Sequence, residues 1–114
     1  METIDKRPWG TFEVLADSPH YKVKRIVVWP QGKLSLQSHK RRSEHWYAVS
    51  GTGRATIDGN NYPLETGCAV DIPAGIKHRV YNLAAQDLVI IEVQTGDYFG
   101  EDDIERFEDD YGRI

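Results

Sequence analysis

Glycine and proline break this chain about every ten residues, and the stretches between breaks are short and rich in β-branched and aromatic residues. Such spacing leaves no room for long helices and little for a helix between successive strands. It predicts an all-β sandwich or barrel. Thr11 to Ala16 is a first strand, closed by Asp17-Ser18-Pro19, and Tyr21 to Trp29 is a strong second one, closed by Pro30-Gln31-Gly32. Leu34 to His39 alternates with a period of two. Further strands are expected at His45 to Val49, Arg54 to Ile57, Tyr62 to Leu64, Ala69 to Ile72, His78 to Asn82 and Leu88 to Gln94. Asp58-Gly59-Asn60-Asn61 is a strong hairpin signal, because these residues accept the positive φ that tight hairpins require. The acidic tail from Glu101 to Tyr111 is expected to hold one short helical turn around Ile104 and Phe107.

The 114 residues suit one domain, and a chain of this size buries about two thirds of its unfolded surface, enough to fold without covalent staples. The single cysteine, Cys68, can form neither an internal disulfide nor a cysteine-based zinc site. A reducing, cytoplasmic setting follows as an expectation. The first residues lack an apolar leader segment, and no run approaches the roughly 20 apolar residues of a membrane span, so no membrane association is expected. A net charge of −4 argues against general nucleic-acid binding, although a local basic patch remains compatible with it.

Two segments carry chemistry. Gln37-Ser38-His39-Lys40-Arg41-Arg42-Ser43-Glu44-His45 packs two imidazoles, a carboxylate and an amide together, and downstream Gly67, Pro73, Gly75, His78 and Asn82 follow as Gly-x5-Pro-x-Gly-x2-His-x3-Asn. Residues two apart on a strand share a face, so Gln37 and His39 point together while Leu34 and Leu36 face the opposite side. Glu44 re-enters after a basic loop, and His78 opens another strand. Gln37, His39, Glu44 and His78 make a donor set for one divalent ion with positions left for substrate. Zn²⁺ is the leading expectation, and Co²⁺, Mn²⁺, Fe²⁺ and Ni²⁺ also accept mixed nitrogen and oxygen ligands. Alone, each of these residues would be an ordinary strand histidine or surface charge; their joint spacing between glycines singles them out.

The segments 32–51 and 67–82 resemble the two motifs of the cupin superfamily, with Gln37 standing where a first histidine is usual. Arg7-Pro8-Trp9-Gly10, Tyr21-Lys22-Val23-Lys24-Arg25-Ile26, Glu44-His45-Trp46, Ile91-Glu92-Val93-Gln94-Thr95-Gly96 and the stretch from Gly100 to Arg113 narrow this to type II mannose-6-phosphate isomerase cupins. That module is often the C-terminal part of bifunctional mannose-1-phosphate guanylyltransferase/isomerase enzymes. The likeness implies one cupin domain over residues 1–114, a double-stranded β-helix (jelly-roll) barrel. It also implies aldose–ketose isomerisation of mannose 6-phosphate to fructose 6-phosphate. A guanylyltransferase half would need a Gly-rich phosphate loop opening an α/β domain; Gly51-Thr52-Gly53-Arg54 reads better as a hairpin turn, so the chain is read as the cupin module by itself.

Aldose–ketose chemistry needs a general base, which the sequence leaves open among His45, Lys22, Lys24 and a metal-bound hydroxide; Lys24 and His45 are the named candidates, although strand phase turns His45 away from Glu44. For the sugar phosphate, Arg42 leads among Lys40, Arg41 and Arg42, followed by Arg25 and Lys24, then Arg106 and Arg113. Arg79 is expected to face away from the metal in a structural role, and Trp46, in phase with Glu44, to point inward. A homodimer is expected, with Leu34 and Leu36 as one source of apolar contact. Two rival readings stay open at this point: a non-catalytic cupin that binds a sugar phosphate or nucleotide sugar, and a non-haem metal oxygenase.

Overall fold

The computed structural model describes residues 4–112, and these form eleven strands and no helix. In chain order they are β1 (Ile4–Arg7), β2 (Gly10–Asp17), β3 (Tyr21–Val28), β4 (Leu36–Ser38), β5 (Arg42–Ser50), β6 (Thr52–Ile57), β7 (Asn60–Glu65), β8 (Ala69–Ile72), β9 (His78–Tyr81), β10 (Leu88–Gly96) and β11 (Glu105–Glu108). One sheet has six strands in the order β1-β2-β3-β10-β5-β8, and the other has five in the order β11-β4-β9-β6-β7. Every strand pair is antiparallel. The two sheets face each other as a jelly roll.

Alternation along the strands sets which side chains fill the interior. Ile26 and Val28 from β3, Trp46 and Ala48 from β5, Ala55 from β6, Val80 from β9 and Leu88 and Ile90 from β10 are all buried in one cluster. Toward one end the same inward phase becomes polar: Lys24, Arg42, Glu44, His78, Glu92 and Gln94 are buried as well. The barrel is thus packed with hydrocarbon at one end and lined with charge at the other. Buried charge survives only where it is paired or hydrogen-bonded, so this end is the place to look for function.

Turn chemistry follows the sequence closely at two points. Asp58 and Gly59 both have positive φ, 51° and 80°, giving the two-residue turn between β6 and β7 whose twist suits a hairpin. Gly51, at φ 93°, joins β5 to β6; a Cβ there would lie 2.4 Å from the Asp87 carbonyl oxygen.

Four expectations are corrected. The tail forms strand β11 rather than a helical turn, pairing Arg106 with Gln37 along the edge of β4. An isolated helical turn pays the nucleation cost for almost no hydrogen bonds, whereas a free sheet edge offers them at once. Strand β1 was not foreseen, because Asp5, Lys6 and Arg7 hide its β character. Strand β5 starts at Arg42, so Arg42 belongs to the strand and shares the inward phase of Glu44. Leu34 precedes β4, escapes its alternation and is buried in the core, which removes it as a dimer contact; Leu36 is half-buried.

Candidate metal centre

His39, Glu44 and His78 come from three places in the chain and meet at the charged end of the barrel, each buried, with one donor atom apiece all within 4.8 Å of one another. Glu44 lies on β5 in the six-stranded sheet, His78 opens β9 in the other, and His39 follows β4. The loop before β9 fixes this meeting: the Gly75 amide donates to the His39 carbonyl at 2.7 Å, and Gly75 adopts φ 84°. Gln37 sits directly opposite His78 in the β4–β9 register, so both project to the same side. Its amide nitrogen donates to Ser35 Oγ at 3.1 Å, leaving the amide oxygen as the end available to a cation.

The second layer is explicit. Glu44 Oε2 accepts from Arg42 Nε at 2.9 Å and Oε1 accepts from the Trp46 indole at 2.9 Å. His78 Nδ1 donates to the Ile76 carbonyl at 3.0 Å, which places the lone pair on Nε2, 3.7 Å from Glu44 Oε1. The Trp46 ring meets His78 edge-on with centroids 5.5 Å apart. Burial, with Arg42 and His78 nearby, lowers the His39 imidazole to about 3, and burial also holds His78 below its ordinary value. Both rings are therefore neutral near pH 7, the form that ligates metals.

Two neutral imidazoles and a carboxylate converging within 4.8 Å are a donor set that fits a divalent ion, although His39 is engaged otherwise here. His39 Nδ1 is buried with no hydrogen-bond partner and lies 3.3 Å from Glu44 Oε2. Arg42 Nη2 donates to His39 Nε2 at 2.9 Å, which leaves the ring hydrogen on Nδ1. Uptake of a cation by His39 thus requires Arg42 to release the imidazole or the ring to turn.

Beside the cluster lies a pocket of about 70 Å³ lined by four cations, Arg7, Lys24, Arg42 and Arg106, together with Gln37 and the carboxyls of Glu92 and Glu101. Lys24 donates to Glu101 at 2.6 Å and lies over the Phe12 ring at 4.3 Å. Glu92 accepts from Gln94 at 2.6 Å and from Trp46 at 3.1 Å. Burial first, and then the neighbouring Glu44, pushes the Glu92 carboxyl up to about 8.

Not every sequence candidate joins this pocket. His45 projects from the outer face, where its Nδ1 and the Asp71 carboxylate are 2.6 Å apart. Arg25 pairs with Glu13, also away from the pocket. Lys40 and Arg41 are exposed, and their backbone amides donate to Asp103. Arg41 pairs with Asp97 at 3.1 Å. Lys22 donates to the Phe99 carbonyl at 3.5 Å. Arg42 and Arg106 do line the pocket, and Arg106 Nε is buried without a hydrogen-bond partner. Arg113 lies outside the described residues. Arg79 has the structural place expected of it, donating to the Leu34 carbonyl at 2.9 Å. Sequence reasoning missed Arg7, Glu92, Gln94 and Glu101. The inward phase of Glu92 and Gln94 with Leu88 and Ile90 was a usable signal; nothing local marks Arg7 or Glu101.

Two facing antiparallel sheets with a His–Glu–His cluster at one mouth define the molecule as a cupin. The cupin domain of Cnp3 from Schizosaccharomyces pombe superposes with a TM-score of 0.77 at 10% identity, covering 83% of this chain and 69% of that one. The capsular polysaccharide assembling protein CapF from Staphylococcus aureus gives a TM-score of 0.85 at 22% identity over 96% of this chain and 32% of its own. More particularly, residues 2–109 match the mannose-6-phosphate isomerase C-terminal family, and the chain belongs to it. Relatives include alginate biosynthesis protein AlgA of Pseudomonas syringae, 50% identical over 94% of this chain and 22% of AlgA. Mannose-1-phosphate guanylyltransferase of Escherichia coli is 42% identical over 94% of this chain and 23% of its own length. The chain thus spans less than a quarter of the curated relatives it matches.

Proposed function

We propose that this domain interconverts mannose 6-phosphate and fructose 6-phosphate, using one divalent ion held by Gln37, His39, Glu44 and His78, with Zn²⁺ as the expected ion. One observation carries the reading: a buried cluster of neutral imidazoles and a carboxylate lies beside a pocket that Gln37 and Arg42 share with Arg7, Lys24 and Arg106. A hexose phosphate is anionic at one end and carries two adjacent oxygens at the other, which matches this division. Arg7 and Arg106 are the proposed phosphate anchors, since Arg42 is occupied with Glu44 and His39. Arg42 instead orients the ligand side chains. The reading includes a cytoplasmic setting, in keeping with the single thiol, and pairing of two copies.

Isomerisation moves a proton from C2 to C1 of the open-chain sugar through an enediolate. A divalent ion in this donor set would offset the negative charge that develops on the two sugar oxygens. Gln37 is neutral, so Glu44 is the sole anionic side chain among the four, and the positive excess favours an anionic intermediate. The pocket as it stands is smaller than the roughly 300–1,000 Å³ of typical ligand sites, so substrate entry requires it to widen.

The test is metal-loaded protein with mannose 6-phosphate in deuterated water, followed by NMR. Formation of fructose 6-phosphate with solvent deuterium in the sugar, abolished by chelator and by His78→Ala, supports the proposal. Binding without turnover would point to a sugar-phosphate sensor, and oxygen consumption with iron alone to an oxygenase; either result rejects it.

A further inference from the structure

The reacting proton needs a base, and the groups nearest the cluster are already committed. Both Glu92 oxygens accept hydrogen bonds, from Gln94 and Trp46, inside the wall of the pocket. Lys24 faces a carboxylate at 2.6 Å and serves as its counter-charge. His45 is on the wrong side of the sheet. Glu101 is different. It sits in the segment between β10 and β11, it lines the pocket, and half of its side chain is open to solvent.

Its position relative to the cluster is set by Arg42. That guanidinium touches Glu44 through Nε and His39 through Nη2, and it turns Nη1, buried without a hydrogen-bond partner, toward Glu101 Oε2 at 4.0 Å. The carboxylate therefore stands one guanidinium away from the cluster. Oε2 takes both cationic contacts, with Lys24 and Arg42, while no hydrogen bond involves Oε1 among the described residues. Glu101 and Gln37, one of the four proposed ligands, line the same pocket, so a sugar held there through O1 and O2 by the ion would present its C1–C2 bond to that carboxylate.

Resting on the isomerase reading above, we propose that Glu101 is the general base of this domain, with Lys24 as the positioning residue that holds its carboxylate in the pocket. Glu101 Oε1 takes the proton from C2; the C–H electron pair becomes the C1–C2 double bond, and the carbonyl pair moves onto O1. The same carboxyl then returns a proton to C1, while the O2 hydroxyl proton passes to O1 and C2 becomes the carbonyl carbon. No external oxidant, reductant or co-reactant is needed. Burial acts to raise the Glu101 carboxyl, but the Lys24 ammonium and Arg42 outweigh it and hold it below the ordinary glutamate value, so it is ionised at neutral pH. A carboxylate suffices as base toward a carbon acid when the developing oxyanion is stabilised.

The test compares wild type, Glu101→Gln and Glu101→Asp, measuring kcat, KM, sugar-phosphate affinity by calorimetry, bound metal, and solvent exchange at C2. Expected for Glu101→Gln is normal metal content, affinity for mannose 6-phosphate within about threefold, and kcat lower by roughly 10²–10⁴-fold with exchange lost. Glu101→Asp should recover part of kcat with no gain in affinity. Unchanged kcat in Glu101→Gln overturns the assignment, as does tighter sugar-phosphate binding with kcat kept, which would make the carboxylate a plug. Loss of sugar-phosphate binding or metal in that variant overturns it too. A wild type that neither turns over nor exchanges rejects the isomerase reading itself and this assignment with it; a wild type that turns over beside an equally active Glu101→Gln rejects the assignment alone.

Discussion

Glu92 makes the stability of this domain depend on pH in a way that one substitution should remove. Its carboxyl is buried beside Glu44, and its folded value of about 8 stands well above the ordinary 4.5. Between these values the unfolded chain has released the proton while the folded one keeps it, so the unfolded state binds fewer protons and stability falls as pH rises. The contribution is whole below about pH 4.5, declines upward and is gone by about pH 8. At about 1.4 kcal/mol per pH unit the full displacement corresponds to about 5 kcal/mol, and relaxation around the charged form reduces this to roughly 2–5 kcal/mol. Glu92→Gln keeps an oxygen for Gln94 and a donor for Glu44, gives up the Trp46 bond, and cannot ionise, so its fixed cost does not vary with pH. Urea unfolding of the metal-free protein in chelator, from about pH 5 to about pH 8, should show the wild-type unfolding free energy falling relative to the variant's by that amount, the opposing rise from the depressed His39 and His78 being common to both. Parallel curves for the two proteins would refute the reasoning.

Other perturbations address the remaining parts of the site. Glu44→Gln and His78→Ala should each weaken Co²⁺ or Zn²⁺ binding by at least about 100-fold in calorimetric titration, since the first removes the one anionic ligand and the second a nitrogen donor. Trp46→Phe keeps the ring against His78 but leaves Glu44 and Glu92 short of a donor; a loss of about 1–3 kcal/mol in denaturant unfolding is expected. Pairing of two copies is expected on the outward face of β3 and β10, where Val23, Val27, Val89, Ile91 and Val93 stand in register. Ile91→Glu should therefore convert a dimer to a monomer in light scattering.

Much of the fold was legible because strands and turns are local. The Asp58-Gly59 hairpin was readable from residues that accept positive φ, and β3 and β10 from their β-branched runs. The proposed ligands were readable for the same reason, since Gln37, His39 and Glu44 fall within eight residues and His78 follows a proline–glycine turn. What escaped depends on distant partners. The tail became a strand because β4 offered it an edge, and Leu34 turned inward because regular alternation begins only at Leu36. Strand β5 begins inside the basic run, at Arg42, and points that side chain at Glu44. Arg7 and Glu101 reach the pocket from opposite ends of the chain, and no spacing rule joins them.

The cluster draws on both sheets, and this has a mechanical side. Glu44 belongs to the six-stranded sheet and His78 to the five-stranded one, and at this end the layers meet through charge rather than hydrocarbon. A cation gripped by both would act as a rivet across the sandwich at its weakest seam. Loading should then raise the melting temperature in step with ion concentration. It should also slow amide exchange most at the ends of β5 and β9 nearest Glu44 and His78, while the hydrocarbon end, around Leu88 and Ala55, keeps the exchange rates it already has.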